Sequence, residues 1–149
     1  MKHPQLLLKN QLCHRLYQAS NRIVRSYRPH LTQLGLTYPQ YVVMMALWEE
    51  DNVVVKDILE RTTIDAGALS LILQKLSEKQ LINVVAGEED KRQKVIKLTL
   101  SGKEMSEHAA AIPAQMRCTF SDLSDDEVKQ LTALLDKLNS LKESCANND

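Results

Sequence analysis

Two short amphipathic stretches that meet at Thr62-Thr63-Ile64-Asp65 and run straight into two β-branched segments constrain this chain more than any other feature. Residues 55–62 and 66–79 place Ile58, Leu59, Leu69, Leu73 and Leu76 where two crossed helices would pack, and Asp65 predicts the N-cap of the second helix. After Gln80, LINVVA and VIKLTL are short and β-branched, and the polar GEEDKRQK separates them. That pattern predicts a two-stranded hairpin. Four glycines and four prolines among ample Leu, Ile and Val argue against disorder, collagen-like repeats and a β-rich sandwich, and for a helical protein.

The flanks read as helices. From Gln5 to Tyr27 the residues Leu8, Leu12, Leu16, Ala19, Ile23 and Tyr27 recur at spacings of three and four, a stripe that Pro29 is expected to end. Tyr38-Pro39 puts proline in a first helical turn, and QYVVMMALWEE continues as a helix of buried character. Ser101 and Glu104 have capping-box spacing for a helix running toward Pro113. Ser124 and Glu127 repeat it before a last helix with Val128, Leu131, Leu134, Leu135, Leu138 and Leu141, and the final CANND reads as a frayed end. The expected fold is mainly α with a small β-hairpin, a single domain over 1–149. A winged helix-turn-helix at about 38–102 is flanked by helices at about 5–37 and 103–145. A winged helix sets one helix in the major groove of double-stranded DNA and its hairpin against the minor groove or backbone. The two flanking stripes are too apolar to stand alone and are expected to pair in a homodimer, which would match a palindromic operator.

Charge and chemistry narrow the function. The 19 Lys+Arg balance 19 Asp+Glu, yet the first 48 residues hold six Lys/Arg and no acid, while 103–149 hold five Lys/Arg against nine Asp/Glu. A basic amino end and an acidic carboxyl end suit an anionic partner on one side. The longest uninterrupted apolar run, Tyr41 to Trp48, is far short of a membrane span, and no secretory leader is evident, so a cytoplasmic protein with no membrane partner is expected. Cys13, Cys118 and Cys145 form no CxxC pair, and His3, His14, His30 and His108 lack ligand spacing, so free thiols and no metal or other cofactor are expected. Phosphate-cradling glycine loops, nucleophile elbows and paired-carboxylate motifs are missing too, which argues against an enzyme. Ser70 and Gln74 are the polar base readers on residues 66–79, where Ala66 and Ala68 also lie, and Lys75 and Lys79 are candidate phosphate contacts.

The element order, with DKRQKVIKLTLSGKE in the hairpin, resembles the MarR family of dimeric winged-helix regulators over nearly the whole chain. NQLCHRLYQASNRIVRSYRP followed by LGLTYPQYVVMMALWE is similar to the organic-hydroperoxide-sensing OhrR branch of that family. The resemblance implies that Cys13 is the peroxide-reactive thiol and that Tyr27 and Tyr38 hydrogen-bond it from the partner subunit. It implies as well that Arg92 enters the minor groove beside its acidic neighbour Asp90. Cys13 lies in an acid-free segment near Lys9 and Arg15, and cations, helix amino termini and hydrogen-bond donors favour the nucleophilic thiolate. By the same resemblance, a sulfenic acid at Cys13 would condense with Cys118 of the other subunit, or with a small thiol, into a disulfide. Cys145 receives no role.

The sequence thus points to a repressor that releases its operator when an organic hydroperoxide oxidises Cys13. Two alternatives stand beside it: a regulator of the same fold that responds to a small aromatic ligand, and, more distantly, a thiol peroxidase that uses the reactive cysteine for turnover.

Overall fold

The computed structural model describes residues 3–141, in two compact units that divide at Pro113/Ala114. The expected carboxyl-terminal fraying and Cys145 lie outside the described residues.

The first unit is built around helix α2 (Tyr38–Glu49), whose Tyr41, Val43, Met44, Ala46 and Leu47 are buried almost without interruption. Such a helix needs neighbours on most sides, and it packs against α1 (Leu12–Leu34), α3 (Val55–Thr62), α4 (Ala66–Glu78) and α5 (Leu100–Ala109). Its start is fixed locally by a capping box: Gln40 N donates to Thr37 Oγ1 at 3.4 Å, and Thr37 N donates to Gln40 Oε1 at 3.1 Å.

Helix α1 departs from expectation at both ends. Residues 4–6 and 8–10 form two short 3-10 turns, the α-helix starts only at Leu12, and it runs through Pro29 to Leu34. Pro29 denies Arg25 its usual amide donor, but both residues are exposed, so water can serve that carbonyl. What stops the helix is Gly35 at φ 67°, with Leu36 N donating to Leu31 O at 3.0 Å and Gly35 N to Thr32 O at 3.1 Å. Only glycine takes that left-handed cap at no steric cost.

The expected hairpin is present as β2 (Ile82–Ala86) and β3 (Lys94–Leu98), antiparallel with Val84 opposite Ile96. A third strand, β1 (Val53–Val54), pairs with the outer side of β3, giving the order β1-β3-β2. Two residues are too few to leave a sequence pattern. Where β1 stops, Asp51 continues its work: Oδ1 accepts from Leu98 N at 2.8 Å and from Asn52 N at 2.7 Å, and Oδ2 pairs with Lys103 Nζ at 3.2 Å. Partial burial opposes its ionisation, but these donors outweigh that and hold the carboxyl below the usual aspartate range.

The cap of α5 is Thr99, not Ser101: Thr99 Oγ1 accepts from Gly102 N at 3.0 Å and donates to Gln80 O at 2.7 Å. Gly102 is itself required, because a Cβ there would lie 2.1 Å from Leu81 O. Trp48 Nε1 donates to the Gly102 carbonyl at 2.8 Å, so α5 is seated by three contacts with distant residues that no local motif announces.

The second unit holds most of α6 (Ile112–Thr119) and α7 (Asp125–Asn139). The Arg117 guanidinium donates to Phe120 O at 2.9 Å and Leu123 O at 2.8 Å and pairs with Asp125 at 2.8 Å, which fixes the connection. The expected capping box of α7 forms between Ser124 and Glu127. Leu131, Leu134 and Leu138 are exposed on α7, as Leu12 and Ile23 are on α1.

Candidate functional site

Helix α4 turns Leu69, Leu73 and Leu76 into the core and leaves Gly67, Ser70, Leu71, Gln74 and Glu78 outside. The expected cap forms, Asp65 Oδ2 accepting from Ala68 N at 3.2 Å. Of the polar residues assigned to DNA, Ser70 sits in a cleft with Leu59, Ala66, Gln74, Val84 and Lys94, between α3, α4 and the hairpin. Gln74 and Lys75 are exposed but engaged: Glu78 accepts from Gln74 Nε2 at 3.1 Å and from Lys75 Nζ at 3.0 Å, bonds that lower its carboxyl pKa. Lys79, expected at phosphate, instead donates from Nζ to Gly35 O and, at 2.8 Å, to Gln40 Oε1. It ties the end of α4 to the turn between α1 and α2.

In the wing, Arg92 is exposed in the turn between β2 and β3. Asp90 Oδ1 accepts from the Arg92 backbone N–H at 2.9 Å. Among the described ion pairs none joins Asp90 to the Arg92 guanidinium; the contact between the two residues is the one that shapes the turn. Lys94 reaches the cleft beside Ser70 because it lies two residues before buried Ile96 on the same face of β3.

Cys13 is the second residue of α1 and is exposed. No acid lies in that first turn, and Arg15 is held there by donating to the carbonyls of Lys9 and, at 3.4 Å, Gln11. Tyr27 and Tyr38 come together with ring centroids 5.0 Å apart, and Tyr41 stands 5.8 Å from Tyr27 and edge-on to Trp48 at 6.2 Å. Burial, then the neighbouring Tyr38 and Tyr41 phenols, push the Tyr27 pKa up, so its O–H stays a donor. Fourteen residues of continuous helix separate Cys13 from Tyr27, about 21 Å of rise. The thiol and the tyrosine pair of one chain are therefore not partners. Cys118 is exposed on α6 in the second unit, its Sγ–H donating to Ala114 O at 3.6 Å. Among the described residues no group of three or more His, Cys, Asp and Glu is placed to hold a metal, and no helix is long and apolar enough to cross a membrane.

Residues 25–109 match the family described as transcriptional regulator SarA/Rot, from the second half of α1 through the wing to the end of α5. The chain belongs to that family. Its members share the MarR-type winged helix, as the fold and the sequence resemblance both indicated. The organic hydroperoxide resistance transcriptional regulator of Bacillus subtilis is 36% identical over 134 residues, covering 90% of each chain. Reduced AbfR bound to DNA, from a protein of Staphylococcus epidermidis, superposes with a TM-score of 0.75 at 30% identity, over 93% of this chain and 96% of that one. Overoxidized AbfR bound to DNA superposes with a TM-score of 0.74 at 30% identity, over 95% of this chain and all of that one. This SarA/Rot member is thus a DNA-binding transcriptional regulator, not an enzyme.

Three residues of the SarA/Rot fold escaped the sequence reading. Lys94 was signalled by the two-residue period of KVIKL, and Tyr41 by its position one turn beyond Tyr38. Leu71 fits an amphipathic helix as readily inside as outside, and only the structure places it on the outer face, 64% exposed.

Proposed function

We propose that this regulator is a homodimeric, cytoplasmic repressor that senses organic hydroperoxides through Cys13. The observation that carries the reading is the Tyr27–Tyr38 pair, assembled 5.0 Å apart and about 21 Å along α1 from an exposed Cys13 in the first helical turn. A donor pair this far from the thiol of its own chain supports a site that the Cys13 of a second copy would complete. The exposed leucines of α1 and α7 supply the apolar surface for that copy, which gives the segments at about 5–37 and 103–145 the role of dimerisation helices. The lobe at about 38–102 would then read a palindromic operator through Ser70, Gln74 and Lys75 on α4 and Asp90-Arg92 in the wing. The B. subtilis relative, named for organic hydroperoxide resistance, supports the choice of oxidant.

The chemistry balances without a cofactor. The Cys13 thiolate attacks the outer peroxide oxygen, the O–O bond breaks, and the alcohol leaves with a proton while sulfur loses two electrons to become sulfenic acid. A second thiol, from Cys118 of the other copy or from a small molecule, then displaces water and closes a disulfide. Treating the protein with one equivalent of cumene hydroperoxide, followed by non-reducing electrophoresis and peptide mass analysis, tests this. A modified Cys13 is expected, as a covalent dimer that needs both Cys13 and Cys118 or as a small-thiol adduct. An unmodified Cys13 overturns the reading. The groove beside Tyr41, Met45, Trp48, Ser106 and Pro113 favours the second reading, a small aromatic ligand, and a Cys13→Ser variant that still responds to its inducer would select it.

A further inference from the structure

The outer surface of α4 is unusual in where it is apolar. Leu71 is 64% exposed and stands on the helix face opposite Leu69, Leu73 and Leu76. Helical side chains lean toward the amino terminus, so Leu71 lies over the turn that contains Gly67, which has no side chain to cover it. That amino-terminal end is the part of a winged-helix reader that meets base edges first. The polar readers are pulled the other way: Gln74 and Lys75 both donate to Glu78, one turn toward the carboxyl end. Ser70 remains beside Leu71, but a hydroxyl both donates and accepts and so distinguishes bases poorly. One exposed leucine is ordinary on a protein surface; here its neighbours on the outer face of α4 are Ser70, Gln74 and Lys75, on a regulator similar to proteins solved bound to DNA.

We propose that Leu71 determines operator sequence by packing on the C5-methyl group of a thymine in the major groove, one in each half-site. This rests on α4 being the helix that enters the groove. Thymine is the only base that offers an apolar group there, and cytosine in its place sets the polar N4 amino group near the leucine. Sequence preference at the amino-terminal end of α4 is then made by exclusion of polar edges, not by a hydrogen-bonded pair.

The test is selection of duplexes from a pool with a randomised core, using the reduced wild type and Leu71→Ala. Alanine keeps the helix, and position 71 makes no core contact that folding depends on. The wild type is expected to enrich a site with thymine fixed at one position per half. Leu71→Ala should lose that position alone and keep the others. Replacing the fixed thymine with deoxyuridine, which pairs identically but lacks the methyl, should weaken the wild type about fourfold per half-site, the value of one buried methyl group. The variant should not notice the change. Equal binding of the deoxyuridine duplex by the wild type, or an unchanged thymine in the variant's selection, overturns the proposal while leaving α4 as the reader. No enrichment of any sequence overturns that underlying reading as well.

Discussion

Helices α2 and α7 have similar lengths and similar counts of leucine-like residues, and opposite fates. In α2 the buried positions run round the helix, since α1, α3, α4 and α5 all pack on it within one chain. In α7, no residue is buried and Leu131, Leu134 and Leu138 face outward. The lobe around α2 is a finished core; α7 carries a stripe that one chain does not use. In the proposed dimer that stripe and the exposed leucines of α1 would meet a second copy, so one part of the molecule would fold for itself and the other for a partner.

The largest effect should come from breaking the unfinished part. Replacing Leu134 and Leu138 together by Glu sets charges on the stripe and should weaken dimerisation on the order of a hundredfold or more in sedimentation analysis. The helical signal of the lobe should survive. If the whole chain unfolds instead, the lobe is not self-sufficient and the comparison breaks. Next, Leu69→Ala opens a cavity at a fully buried position where α4 meets the core and should cost about 2–5 kcal/mol in denaturant titration.

Asp51→Ala strips the acceptor from Leu98 N and Asn52 N and should cost about 1–3 kcal/mol at neutral pH. Because folding lowers the Asp51 pKa, its contribution is complete above the unfolded value of about 3.9 and is lost as pH falls through the lower folded value. The gap between wild type and variant should therefore narrow only below about pH 4. The smallest effect sharpens the picture of α4. Glu78→Gln removes a carboxylate from the outer face and releases Lys75, which should tighten duplex binding roughly two- to threefold, more at low salt.

Much of the fold was legible in the sequence because its signals are local. Asp65, Ser124-Glu127 and the periodicity of residues 66–79 sit next to what they determine. The misses share a cause. Pro29 stays inside α1 because Gly35 and buried Leu31 settle where the helix ends. Thr99 displaces Ser101 as a cap because Gln80 O accepts its hydroxyl, and β1 exists only as an addition to β3. The site shows the same division. The residue types on α4 and in the wing could be read, but not that Glu78 engages Gln74 and Lys75, that Gln40 and Gly35 take Lys79, or that Asp90 serves a backbone amide. The tyrosine pair was reached through resemblance, and its third ring, Tyr41, was signalled only by its spacing from Tyr38.

The central claim is that oxidation of Cys13 governs DNA binding, and fluorescence anisotropy tests it most directly. A labelled duplex selected with the reduced protein is titrated to saturation, and one equivalent of cumene hydroperoxide is then added. Release of the duplex by the wild type, rebinding after dithiothreitol and full retention by Cys13→Ser are expected. Retention by the wild type with Cys13 demonstrably oxidised, or equal release by Cys13→Ser, would contradict it.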